Sequence, residues 1–76
     1  MVIRHSIIID GHKTSVNLEE VYWKGLREIA EERGESLSHL IAGIDTNRQN
    51  TILSSAIRHF VLGFYRDQLD LSRMVA

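Results

Sequence analysis

Residues 13–44 read KTSVNLEEVYWKGLREIAEERGESLSHLIAGI, and the fold turns on how this stretch divides. It opens with alternation. Lys13, Ser15 and Asn17 are polar, while Val16 and Leu18 between and after them are apolar, the period of a strand with one buried face. From residue 19 the period changes. Tyr22, Leu26, Ile29 and Ala30 form an apolar stripe at helical spacing, flanked by Val21 and Trp23, which predicts a helix over 19–33. Glu19 and Glu20 fall in its first turn and Arg33 in its last, the arrangement the helix dipole favours. Gly34 suits the left-handed residue that ends a helix. Gly25 weakens the helix interior, so its presence predicts a close packing point. Ser36 then caps a second helix, with Leu37, Leu40, Ile41 and Ile44 on its buried side.

On the N-terminal side, residues 3–9 (IRHSIII) are rich in β-branched side chains, and Asp10-Gly11 separates them from residues 13–18. That dipeptide is a strong hairpin signal, because a type I′ turn needs positive φ at both central residues. A two-residue turn pairs Ile9 with His12, and the register follows: Ile8 with Lys13, Ile7 with Thr14, Ser6 with Ser15, His5 with Val16, Arg4 with Asn17. One face then carries Ile3, His5, Ile7, Ile9, Thr14, Val16 and Leu18. The other carries Arg4, Ser6, Ile8, Lys13, Ser15 and Asn17, with Ile8 the one misfit. On the C-terminal side, residues 45–51 (DTNRQNT) read as a polar break, although the second helix can continue to Gln49. Asn50 or Thr51 caps a third helix, whose stripe is Leu53, Ala56, Ile57, Phe60, Val61 and Phe64, and whose tail from Asp70 is expected to fray. The expected core is Val16, Leu26, Ile29, Leu40 and Ile41. The organisation is one domain over 1–76, with a core unit at 13–44 and an added helix at about 51–69.

Composition narrows the function. The 76 residues include no cysteine and no proline. This removes disulfides, thiolate metal sites and cysteine nucleophiles. At 43% hydrophobic residues there is enough apolar material for a core. A chain this small reaches stability by tight helix packing or by sharing its core with a second copy. The longest strongly apolar run, Ile7-Ile8-Ile9, is far short of a membrane span or a signal-peptide core, so no membrane role and a cytoplasmic location are expected. Net charge is −1, not the basic excess of a generic nucleic-acid binder. Its distribution matters more. Residues 1–18 set Arg4 and Lys13 against Asp10 alone, whereas Glu19, Glu20, Glu28, Glu31 and Glu32 concentrate acid in the middle of the chain. No nucleophile and base can be paired, and there is no phosphate loop and no HExxH, so an enzyme is not expected. His5 and His12 share the apolar face but stand apart along the ladder, with no third ligand at suitable spacing, and no metal or other cofactor is expected. His39 and His59 read as surface or packing positions. Trp23, Phe60, Phe64 and Tyr65 read as core or dimer interface.

The polar-faced strand, the helix with Leu26, Ile29 and Ala30, the Gly34-x-Ser36 turn and the helix with Leu40 and Ile41 resemble the ribbon-helix-helix family of bacterial DNA-binding proteins. The segment GHKTSVNLEEVYW, followed by Gly34-x-Ser36-Leu37 and Leu53-Ser54-Ser55-Ala56, is similar to a small alphaproteobacterial subfamily with an added third helix. The resemblance implies a mainly α fold with a short β ribbon, intertwined as a homodimer. It implies that one strand from each chain enters the major groove of double-stranded DNA, with Lys13, Ser15 and Asn17 at the base edges. Arg4, outside the family's core unit, is expected as an additional DNA contact. It also implies that the start of the second helix, at Ser36, Leu37 and Ser38, holds a backbone phosphate. The N-terminal strand and third helix are additions to the family's core unit, so the ribbon has either two strands or four.

The residues support this chemistry without excluding plainer readings. Lys13 can donate to guanine, Asn17 can pair bidentately with adenine, and Ser15 can serve either base. The same alternation also describes a solvated sheet face, and Ser36 also serves as a simple helix cap, although helix N-termini bind phosphate with no further chemistry. Three functions fit these residues. The first is a sequence-specific DNA-binding dimer that represses transcription in the nucleoid, with possible higher-order assembly on DNA. The second is an antitoxin-like module whose C-terminal helix binds a protein partner. The third is an interaction domain with no DNA role.

Overall fold

Two antiparallel strands, β1 (Val2–Ile9) and β2 (His12–Glu19), are followed by three helices, α1 (Glu20–Arg33), α2 (Leu37–Asn47) and α3 (Leu53–Val75). The computed structural model describes residues 1–75. The hairpin has the expected register throughout, from Ile9 opposite His12 to Arg4 opposite Asn17, and extends two pairs further, through Ile3 opposite Leu18 to Val2 opposite Glu19. The turn forms because Asp10 and Gly11 both take positive φ, 51° and 80°. Glycine meets no steric penalty there, and aspartate is among the few side chains that tolerate it.

The two faces separate as alternation predicts, except that Ile3 and Thr14 of the expected inner face are exposed. Ile7, Val16 and Leu18 are buried, and His5 and Ile9 are half-buried. Arg4, Ser6, Ile8, Lys13, Ser15 and Asn17 are all exposed. The inner face packs on the helices, with Leu26, Ile29, Ala30, Leu40, Ile41, Ile44, Ile57 and Val61 completing one core. All five residues expected to form the core belong to it, and α3 contributes Ile57 and Val61.

Helix α1 begins at Glu20, one residue later than expected, because Glu19 ends β2. Gly34 closes it in the left-handed conformation, φ 68°, and its N–H and that of Glu35 reach back to the carbonyls of Glu31 and Ala30. Gly25 faces α3 closely. A Cβ there would stand 3.0 Å from Val61 Cγ1 and 3.4 Å from Tyr65 Cε2. The pairs Glu19–Arg58, Gly25–Val61 and Glu32–Gln68 advance together in sequence, so α1 and α3 run in the same direction.

Two expectations at α3 need correction. The residue before the helix is Ile52, not Asn50 or Thr51, and its carbonyl accepts the Ala56 N–H at 3.0 Å. The reason lies in Arg48, which bonds Asp45 at 2.7 Å and the Thr51 carbonyl at 2.6 Å, so the linker is a tied turn and Thr51 is used before the helix starts. The tail from Asp70 is not frayed: α3 runs past the expected 69 to Val75. It overruns the end of α1, which leaves Leu69, Leu71 and Met74 exposed. Among the described residues no helix is long and apolar enough to cross a membrane.

Candidate nucleic-acid interface

The exposed face of the hairpin is built by the pleat. Burial of Ile7, Val16 and Leu18 forces their neighbours outward, so the side chains of Lys13, Ser15 and Asn17 share one strand face at every second position. Arg4, Ser6 and Ile8 stand beside them on β1. This face looks away from the helical layer that carries Glu28, Glu31 and Glu32. Its charged members are the cations Arg4 and Lys13. Glu19, at the far end of the same row, is taken up by Arg58 of α3 at 2.7 Å, and that hydrogen bond holds its carboxyl below the usual carboxylate range. The chain's negative balance therefore does not extend to this surface.

Arg4 and Ser15 are joined: Arg4 Nε donates to Ser15 Oγ at 3.2 Å. Ile8, 57% exposed, is the apolar member of the face, opposite Lys13. An apolar side chain among donors suits a major groove, where the thymine methyl is one of the readable features.

The start of α2 lies next to this face. Leu37 and Ser38 line a shallow hollow of about 300 Å³ together with Ser6, Ile8, Lys13 and Trp23. Ser36 caps the helix, its Oγ accepting from the His39 N–H at 3.1 Å while its carbonyl accepts from Leu40. The N–H groups of Leu37 and Ser38 have no backbone acceptor among the described residues. Two free amides at a helix N-terminus favour an anion. One feature opposes it. Glu35 stands just before the cap, and its carboxylate is offset by Arg33 at 3.0 Å, with His39 at 3.2 Å on its other oxygen.

The structure thus brings the strand residues and the helix start to neighbouring parts of one surface. The alternation pointed to the strand set. The Arg4–Ser15 bond and the hollow were not legible, because both depend on where side chains on different segments lean. His5, considered with His12 as a metal ligand, instead stacks on Trp23, with ring centres 3.9 Å apart and planes 8° from parallel. Its Nε2 is buried with no partner among the described residues. On the helical side, burial raises the Tyr65 hydroxyl pKa, helped by the nearby carboxylates of Glu28 and Glu32.

A two-stranded ribbon, two helices joined through a left-handed glycine and a capped α2 beside the ribbon define a ribbon-helix-helix arrangement. The ribbon-helix-helix domain pattern matches residues 2–65, most of the chain, and the chain belongs to that family. Proteins of the family are in general DNA-binding transcriptional regulators that act as dimers. No curated protein and no solved structure matches the chain.

Proposed function

We propose that the protein is a sequence-specific DNA-binding homodimer that represses transcription by occupying its operator, and that it works in the cytoplasm on the nucleoid. The observation that carries this reading is the exposed face of the hairpin, cationic and hydrogen-bonding, in a chain of this family. Lys13 and Asn17 contact base edges, Ser15 lies between them, and the free amides of Leu37 and Ser38, set by the Ser36 cap, hold a phosphate.

The open edge of β2 supports the dimer. In a two-residue hairpin the pair flanking the turn exchanges hydrogen bonds, and bonded pairs then alternate along the ladder. His12, Thr14, Val16 and Leu18 therefore face β1, while the backbone groups of Lys13, Ser15 and Asn17 point to the open side. An unpaired strand edge is a template for another strand. A second β2 placed there, antiparallel and centred on Ser15, gives a four-stranded sheet with the two β2 strands in the middle. It sets Lys13 of one protomer opposite Asn17 of the other, with no like charges facing. The polar face then carries two copies of Arg4 and Lys13.

Phosphate contacts position a protein and base contacts specify sequence, so the two groups of variants should fail differently. After selection of a preferred duplex from a random pool, Asn17→Ala should weaken binding to it by about 1–3 kcal/mol and relax preference at one position. Ser36→Ala should weaken all duplexes by a similar factor. It should also lower stability by about 0.5–2 kcal/mol, so binding must be compared well below the melting point. If Lys13, Ser15 and Asn17 can be replaced together by alanine with no change in affinity or preference, the ribbon does not read DNA.

A further inference from the structure

Arg4 does not stay over its own strand. Its partner across the ladder is Asn17, yet its Nε donates to Ser15, two residues nearer the turn. The side chain crosses the hairpin diagonally, a span of about 7–8 Å between backbones that a long side chain covers. Contact through Nε leaves the far end of the guanidinium unused. Its terminal nitrogens make no hydrogen bond or ion pair within the described residues. We propose that Arg4 reads a guanine, its terminal nitrogens donating to O6 and N7, and that Ser15 is the positioning residue that aims it. This rests on the DNA-binding reading above and sharpens it.

Three physical points support the assignment. The first is donor chemistry. A guanidinium offers only donors, and of the base pairs' major-groove edges only guanine presents two acceptors side by side. The second is width. Strands lie about 4.8 Å apart, so the outer strands of a four-stranded sheet are about 14 Å apart, against a groove about 12 Å wide. A short side chain on β1, such as Ser6, stays near the rim. An arginine on β1 reaches bases only if it leans inward, and the bond to Ser15 makes it lean that way. The third is preorganisation. Arginine has many rotamers to lose on binding, and a side chain already held in place loses fewer. The guanidinium also cannot be exchanged for an ammonium without losing the paired geometry.

The experiment compares wild type, Arg4→Ala, Arg4→Lys, Ser15→Ala and the Arg4→Ala/Ser15→Ala pair by selection from a random duplex pool, followed by titration of the preferred duplex at two salt concentrations. Arg4 and Ser15 are exposed, so unchanged melting curves are expected and serve as the folding control. Arg4→Ala should lower affinity for the preferred duplex about 5- to 150-fold and erase preference for one guanine per half-site. Arg4→Lys should lose the same preference although the charge remains. Ser15→Ala should weaken binding by a smaller factor with the guanine still preferred, and the pair should be no worse than Arg4→Ala alone. A uniform loss on all duplexes with a salt slope smaller by about one would make Arg4 a phosphate contact and overturn the proposal. So would an Arg4→Ala variant with unchanged preference while Lys13→Ala and Asn17→Ala shift it; in that case the DNA-binding reading stands. If none of these variants changes affinity or preference, that reading fails and takes the proposal with it.

Discussion

Gly25→Ala should have opposite effects in two backgrounds. Glycine in a helix interior is about 1 kcal/mol less favourable than alanine, so the substitution by itself should stabilise α1. The neighbour on α3 reverses this. The new Cβ would stand 3.0 Å from Val61 Cγ1, tighter than ordinary van der Waals contact, and 3.4 Å from Tyr65 Cε2. Val61 is 5% exposed and β-branched, so it has one comfortable rotamer and no space to retreat into. Tyr65 is 40% exposed and can swing aside. Overpacking a tight contact costs about 1–3 kcal/mol, which outweighs the propensity gain and leaves a net loss of up to about 2 kcal/mol. For a chain of this length that lowers the melting temperature by up to about 15 °C. In a Val61→Ala background the obstructing methyl is gone. Val61→Ala itself should cost about 2 kcal/mol, from two buried carbons and the space they leave. Gly25→Ala should then restore about 1 kcal/mol. The assay is thermal and urea unfolding of all four proteins at one fixed concentration, followed by circular dichroism. An equal destabilisation in both backgrounds would show that Val61 is not the obstacle. A stabilised Gly25→Ala in the wild-type background would show that α1 and α3 do not approach this closely.

Leu40→Ala should cost about 2–5 kcal/mol, read from the urea midpoint, since Leu40 is buried at the junction of α2 with the core; a few tenths would place it outside. Sedimentation at micromolar concentration should give the mass of a dimer, and the thermal midpoint should rise with protein concentration, whereas a well-folded monomer would remove the dimer reading. The Glu19–Arg58 pair should appear in the acid limb of stability. Because the folded carboxyl titrates below its ordinary value, its contribution is present above the ordinary glutamate range and is lost as pH falls through the lowered one. Glu19→Gln should flatten that limb, and an identical pH profile for the variant would show that the pair does not couple β2 to α3.

The hairpin was legible down to its register because every signal for it is local. Asp10-Gly11 fixes the turn, the turn fixes the pairing, and a period of two fixes which side chains share a face. The same holds for the end of α1 at Gly34, for the cap at Ser36 and for the stripes that became the core. These depend on residues within about four positions of each other, where the backbone's own geometry decides the outcome. Local propensity fails at residues 48–52, where Arg48 ties the linker and moves the start of α3 past the polar residues favoured as caps.

Tertiary structure alone decided how these pieces meet. Glu19 looks like a first-turn acid of α1, but it ends β2 and pairs with Arg58, 39 residues away. Gly25 signalled close packing without saying that Val61 and Tyr65 are what it packs against. The polar face of the hairpin was readable as a row, yet the link from Arg4 to Ser15 and the nearness of Ser38 to Lys13 were not. The physical reason is common to all of them. Periodicity gives the direction in which a side chain leaves its own backbone, whereas a long-range contact also needs the distance, crossing angle and axial offset between two elements. Those are set by the joint packing of one core, to which every element contributes and which no single stretch of sequence contains.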